Sequence, residues 1–228
     1  MKIVFCLPGS YYSGAFLSCW TSLLEKCKQK EIQIVLQQNY SSLVHYARNN
    51  CLGGNALFGV DQIPFQGGIE YDYIMWIDSD IIFTPADLFK LIDMDKDVSS
   101  GLYKMQDGLC FATKEHSIPD NYYIDNIGLV GEVDKKFSFL TEKDLHDRKN
   151  IFKVDYTGMG WMLIRKGVIE SLKYPWFHST TKQFFIGDQL VTDFISEDVQ
   201  FCEDVRKQGY DIWINPNVIV GHEKVRVL

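Results

Sequence analysis

The sequence has no C-x-x-C pair, no apolar run long enough to cross a bilayer, no surplus of positive charge, and no internal repeat or low-complexity tract. Each absence removes a class of function. Cys6, Cys19, Cys27, Cys51, Cys110 and Cys202 are scattered, mostly within apolar stretches, so they read as reduced core thiols rather than a disulfide frame or a zinc site. That points to a reducing compartment, the cytoplasm. Acids outnumber bases by 30 to 23, a net charge of −7, which leaves no broad cationic face for a nucleic-acid backbone. An anionic ligand would have to be held locally, by a metal or by backbone amides. The opening MKIVFCLPG has only five apolar residues before Pro8 and reads as a strand rather than a leader peptide. No transmembrane segment is expected.

What is present is an alternation. IVFCL (3–7), GAFLSCWTSLLEKCKQ (14–29), IQIVLQQ (32–38), SLVHYARNN (42–50) and YIMWI (73–77) read as strand, helix, strand, helix, strand. This pattern builds an α/β domain around a mainly parallel sheet, with ligands at the carboxyl ends of the strands. Thr84 and Pro85 start a short helix over ADLFKLIDM, and VSSGLYKM follows as a strand. Residues 106–153 are richer in charge and turn formers; CFATK and KFSFL there are candidates for a small antiparallel addition. GWMLIRKGVIESL reads as a strand entering a helix. SEDVQFCEDVRKQG reads as a helix capped by Ser196 and ended by Gly209, and DIWI and NVIVGH read as two short strands. No linker is visible, so residues 1–228 are expected to form one domain.

Three features could carry chemistry. In IMWIDSDIIF, Asp78 and Asp80 would share one face of an extended chain, and their repulsion, roughly 2 kcal/mol at an effective dielectric near 20, calls for an offset. A divalent cation is one; an ordinary strand-ending turn is the plainer reading of the same triplet. His222 ends an apolar strand after Gly221 at what should be the same sheet edge, and carboxylate with imidazole suits Mn²⁺, with Mg²⁺ as the alternative. Glu197 and Asp198 open a helix, where acids favour the macrodipole whether or not they catalyse; such an acid is also rigidly placed for general-base work.

Taken in order, the first-strand loop, WIDSD, TGMGWML, SEDVQFC and GHEK resemble the GT-A glycosyltransferases over essentially the whole chain, and within them the amino-terminal transferase module of a chlorella-virus glycosylation enzyme. The resemblance implies a GT-A (Rossmann-like) fold: a mixed, mainly parallel central sheet flanked by helices, with a small antiparallel addition. Residues 1–105 would be the nucleotide-binding half and 106–228 the donor-sugar and acceptor half. It implies a UDP-sugar donor, Mn²⁺ or Mg²⁺, a hexose or deoxyhexose as the transferred group, and a glycan or glycoprotein acceptor. For a virus-encoded chain the compartment would be the host cytoplasm. By motif, Asp80 ligates the metal, Asp78 touches ribose or metal, and His222 completes the shell. Asp198 acts as the base of an inverting transfer, with Glu197 as the acid that could take its place. Pro8, Gly9, Ser10, Tyr11, Tyr12, Ser79 and the helix with Arg48 meet the nucleotide, with Tyr11 or Tyr12 on the uracil. Gly158 and Gly160 admit the donor sugar, while Trp161, Trp176, Phe177 and His178 offer faces to an acceptor ring.

Other readings remain open. A sugar-nucleotide pyrophosphorylase would want a basic residue in its first loop, and LPGSYYSGA has none. An aspartyl-phosphate phosphatase would want its D-x-D near the first strand. A non-catalytic glycan-binding module on the same fold would keep the architecture without the chemistry.

Overall fold

The computed structural model describes residues 1–119, 122–124 and 137–224. The chain runs β1 (Lys2–Pro8), α1 (Gly14–Gln29), β2 (Gln33–Asn39), α2 (Val44–Cys51), β3 (Tyr73–Ile77), β4 (Ile81–Ile82), α3 (Pro85–Ile92) and β5 (Val98–Leu102). It continues through β6 (Thr113–Lys114), β7 (Tyr123–Ile124), α4 (Glu142–Leu145), β8 (Phe152–Val154), β9 (Tyr156–Thr157) and β10 (Trp161–Arg165). Last come β11 (Thr180–Ile186), β12 (Gln189–Ile195), α5 (Glu197–Lys207), β13 (Ile212–Ile219) and β14 (Gly221–His222).

A seven-stranded sheet in the order β2-β1-β3-β10-β5-β13-β8 forms the centre, and it draws strands from both sides of residue 105. β2, β1 and β3 are parallel, as are β5 and β13, while β10 and β8 run against their neighbours. The sheet is therefore mixed and mainly parallel. Its inner strands β3 and β5 are buried at every residue because both faces are covered, with Ser99 and Ser100 of β5 the polar exceptions in otherwise apolar runs. Alternation divides them: Ile3, Phe5 and Leu7 of β1 pack with Phe16 and Leu23 of α1 and Leu88 and Leu91 of α3, whereas Val4 and Cys6 pack with Cys51 of α2 and Phe201 and Val205 of α5. All six cysteines are free thiols and four are buried. No helix among the described residues is long and apolar enough to cross a membrane.

Local chemistry explains the boundaries. The Ser13 hydroxyl caps α1 by accepting from Phe16 N at 3.0 Å. Thr84 and Asp87 form a reciprocal capping box at α3, with Pro85 in its first turn.

Several boundaries differ from the sequence reading. The strand at 98 stops at Leu102. The helix expected after β10 shrinks to a single 3₁₀ turn, Ile169–Ser171, because Gly167 at φ +103° has already reversed the chain. DIWI and NVI are one strand carried across a register irregularity between Ile214 and Ile219, where Pro216 lacks a donor for the ladder. CFATK and KFSFL do meet antiparallel, through Cys110–Thr141 and Leu140 N to Thr113 O at 2.9 Å, but build no extended sheet; Lys136 lies outside the described residues. The larger antiparallel addition is the β11–β12 hairpin, turning at Gly187 (φ +55°) and Asp188, with β7 alongside.

Candidate active site

The sheet edge at the carboxyl ends of β1 and β3 is where the singled-out residues gather. Gly9, just beyond β1, has φ +151°, and a Cβ there would stand 2.8 Å from Ser79 Cβ, so only glycine lets the first loop close on the Asp78–Asp80 turn. Pro8 is buried, Ser10 is exposed, and Ser79 is half-buried. Tyr12 packs on Phe16 and donates its hydroxyl to Leu7 O at 2.8 Å, and burial pushes its pKa up to about 12. Tyr11 is 75% exposed. Of the two tyrosines, Tyr11 is the one with a face open to a base.

Asp78 and Asp80 do not share a face as an extended chain would require. Ile81 N donates to Asp78 O at 3.1 Å, so a turn separates the two side chains and each meets its own cation. The charge repulsion expected from the sequence is thus offset within the protein. Asp78 receives Arg48 Nη2 at 3.1 Å on Oδ2, and Oδ1 lies 3.0 Å from the same nitrogen. Arg48 Nε reaches Glu197 Oε1 at 3.4 Å. Arg48 is 3% exposed and sits over Trp76, so it is neither a solvated helix charge nor open to a nucleobase. Burial opposes its charge, but the carboxylates of Asp78 and Glu197 outweigh that and raise its pKa. Glu197 is also buried; desolvation, opposed by Arg48 and assisted by Asp198, raises its pKa.

Asp80 meets a different group. β14 pairs antiparallel with β4, His222 opposite Ile81, and Glu223 N donates to Asp80 O at 2.7 Å. This short ladder brings His222 Nε2 to 3.1 Å from Asp80 Oδ2. His222 Nδ1 lies 2.6 Å from Lys104 O, and since a carbonyl only accepts, Nδ1 carries a hydrogen and Nε2 is the nitrogen turned to the carboxylate. Lys224 Nζ approaches the same Asp80 oxygen at 2.6 Å. Burial works against the imidazolium, but Asp80 and the Lys104 carbonyl raise the His222 pKa. Burial alone would raise Asp80, yet His222 and Lys224 bring it down to about 2.

Among the described residues no three His, Cys, Asp or Glu side chains cluster closely enough to hold a metal ion. The expected Asp78–Asp80–His222 shell is not assembled, because Asp78 is drawn to Arg48. Asp80 and His222 remain a chemically suitable pair, with an imidazole oriented through its second nitrogen as metal-ligating histidines are. Two protein ligands fit a cation that completes its shell from a bound diphosphate and water.

Gly158 and Gly160 were expected to admit a donor sugar; what they admit is Tyr103. A Cβ at Gly158 would stand 2.0 Å from the Tyr103 hydroxyl, which receives Gly160 N at 3.1 Å. The Tyr103 ring meets the His222 ring edge-on at 5.2 Å. Trp161, Trp176 and Phe177 are buried in the core, so they offer no face to an acceptor, and the His178 ring nitrogen turns back to Pro175 O at 3.2 Å. Their apolar character reflects packing across the sheet.

Asp198 stands at the first turn of α5. Its Oδ2 accepts from Tyr156 OH at 3.0 Å; Oδ1 accepts from Val199 N at 2.8 Å and from the Ser196 hydroxyl. The Ser196 carbonyl accepts from Gln200 N at 3.0 Å, but its hydroxyl makes no cap bond to the helix and donates to Asp198 instead. Asp198 is half-buried, whereas Glu197 is 7% exposed. Tyr103, Tyr156, Lys104 and Lys224 are neighbours of this site that the sequence reading did not assign. Only Lys224 carried a signal, since it directly follows the GHE stretch.

No protein-family profile and no curated protein matches this sequence. Solved structures do. A197 from STIV superposes with a TM-score of 0.54 at 14% identity, over 100% of this chain and 97% of that one. The fold is GT-A-like. GalNAc-T7, solved with UDP, GalNAc and Mn²⁺, aligns with a TM-score of 0.47 at 11% identity over 97% of this chain, which spans 43% of that protein. The inositol-1-phosphate CTP transferase from T. maritima aligns at 0.40 and 12% identity, over 97% of this chain and 88% of that one.

Proposed function

We propose that the chain is a metal-dependent, inverting glycosyltransferase that moves a hexose or deoxyhexose from a UDP-sugar to a hydroxyl of a glycan or glycoprotein. The observation that carries this reading is the Asp80–His222 pair at the sheet edge, 3.1 Å apart, with the acidic start of α5 tied to the same edge through Arg48. Asp80 and His222 would hold Mn²⁺, with Mg²⁺ as the substitute. When bound, the cation neutralises charge on the departing diphosphate.

The remaining work falls to the chain itself. The Gly9 loop and Tyr11 bind the nucleoside, and Asp78, held by Arg48 with its side chain still 29% exposed beside that loop, meets the ribose. Arg48 fixes Asp78 and Glu197 relative to each other, so Glu197 is a positioning acid. Asp198 is the base. It takes the acceptor proton as the acceptor oxygen bonds to the sugar's anomeric carbon and the bond from that carbon to the diphosphate oxygen breaks. Attack opposite the leaving group inverts the configuration, and UDP departs.

Screening UDP-sugars for Mn²⁺-dependent UDP release, with and without saccharide acceptors, tests this reading. UDP release that a saccharide accelerates is expected. Turnover that instead exchanges pyrophosphate into the sugar nucleotide, or tighter binding of GDP than UDP in a melting series, would overturn it.

A further inference from the structure

A cavity of about 240 Å³ opens where α5 meets the β11–β12 hairpin. Two of its wall residues, Tyr156 and Ser196, are the hydroxyl donors to the Asp198 carboxylate, so the space begins one hydrogen bond from that acid. The wall is aromatic: Phe139 and Phe184 are half-buried, and Phe194 on the hairpin is 70% exposed, its ring open to a ligand. Lys114 lies over the Phe139 ring at 4.3 Å, and Asp193 stands beside it on β12.

The charges decide the ligand class. Lys114 and Lys182 are matched by Asp193 and Glu203, with Lys182 and Glu203 in an ion pair. A balanced wall gives a phosphate or nucleotide no net attraction. Aromatic faces take the C–H face of a pyranose, while an ammonium and a carboxylate at the rim donate to and accept from adjacent hydroxyls. A second cavity of about 320 Å³ shares Ser117, Ile118, Lys182 and Glu203 with the first and continues along α5 past the Asp155–Arg206 pair to Lys207, whose charge is met by Glu203 and Asp204. Together they fall in the size range of ligand sites and extend beyond one ring.

We infer that this groove, roofed by the β11–β12 hairpin, binds a neutral saccharide of two or more units and presents a hydroxyl to Asp198. The assignment of that hydroxyl as acceptor rests on the transferase reading; the saccharide site itself does not.

Saturation-transfer NMR and calorimetry with neutral mono-, di- and trisaccharides test it on the full chain, alongside Phe194→Ala and Asp193→Asn. Both positions are exposed, so the melting temperature should hold. Saccharide binding should weaken roughly tenfold in each variant, the worth of one stacked ring or one hydrogen-bonded rim group, while UDP affinity stays unchanged. Trisaccharides should bind more tightly than monosaccharides. The inference is overturned if wild-type protein binds none of these saccharides, if both variants bind them as well as wild type, or if anionic sugars are preferred. Saccharide binding that the variants lose, in a protein that turns over no UDP-sugar, would sink the transferase reading and leave the groove standing.

Discussion

Asp80 and His222 are 142 positions apart in sequence, yet Oδ2 and Nε2 face each other at 3.1 Å because β14 pairs with β4 in the register His222–Ile81. Either residue should be needed for cation binding. His222→Ala and Asp80→Asn are each expected to weaken Mn²⁺ binding in the presence of UDP by at least about tenfold, since even outer partners of metal ligands are worth that much. Electron paramagnetic resonance of free Mn²⁺ measures it. Unchanged affinity in both variants would remove these residues from any metal role.

The same pair fixes a pH dependence. The His222 pKa is raised and that of Asp80 is lowered to about 2. The charged pair therefore contributes stability between these limits, lost as pH rises through the raised His222 pKa and, at the other end, as it falls toward 2. Cation binding has the opposite slope near neutrality, because a proton and a metal compete for Nε2. Mn²⁺ affinity should fall as pH drops below the His222 pKa, approaching about tenfold per unit. An NMR titration of His222 should show that pKa shifting downward in Asp80→Asn; no shift would separate the two groups.

Lys224 Nζ shares Asp80 Oδ2 with His222 at 2.6 Å, so a cation arriving at Asp80 must displace an ammonium. An ion pair this exposed is worth up to about 1 kcal/mol, so Lys224→Met should tighten Mn²⁺ binding in the absence of nucleotide roughly two- to fivefold. Calorimetry without UDP reads this directly. Weaker binding in the variant would mean that Lys224 assists the site instead.

How far the sequence reached depends on the range of the forces involved. The strand and helix alternation in residues 1–92 was readable because apolar periodicity and the Thr84 cap are local. The β11–β12 hairpin was missed, although Gly187-Asp188 between two polar-apolar runs signals such a turn. At the site, Asp80, His222, Glu197 and Asp198 could be named from their places at element ends. Their partners could not. The Arg48 bridge joins residues 149 positions apart, and nothing near Arg48 marks it as buried. Gly158 and Gly160 were read as openings for a donor sugar; the group that fills them, Tyr103, comes from 55 residues or more away and leaves no local trace. Trp176 and Phe177 looked like loop aromatics after Pro175, yet the chain folds that loop into the core.

Arg48 gives the largest stability effect expected. Its removal leaves Asp78 and Glu197 facing each other without a shared cation beneath the sheet edge. Breaking a buried ionic pair in this way costs about 3–5 kcal/mol, so Arg48→Met should lower the melting temperature by roughly 10 °C. Arg48→Lys should recover little, because one ammonium does not span two carboxylates as the guanidinium fork does. Calorimetric melting of both variants checks this, and a wild-type melting temperature in either would show the triad to be structurally idle.

Asp198 and Glu197 are adjacent acids in unlike settings, and that difference separates base from support. Glu197 is 7% exposed and held by Arg48, whereas Asp198 is half-buried and held by three donors, Tyr156, Ser196 and Val199 N. Those donors keep the carboxylate rigid without consuming all its lone pairs, as a base requires. Asp198→Asn keeps the shape and removes the proton acceptor, so kcat for transfer should fall by about 10²–10⁴ with UDP binding intact. Glu197→Gln should act through Arg48, lowering the melting temperature and moving kcat less. Tyr156→Phe removes one of the donors that hold the Asp198 carboxylate in place and should lower kcat by less than Asp198→Asn does. Transfer rates and melting curves together divide the roles; an Asp198→Asn enzyme with near-normal kcat would pass the base to Glu197 or to the acceptor's own surroundings.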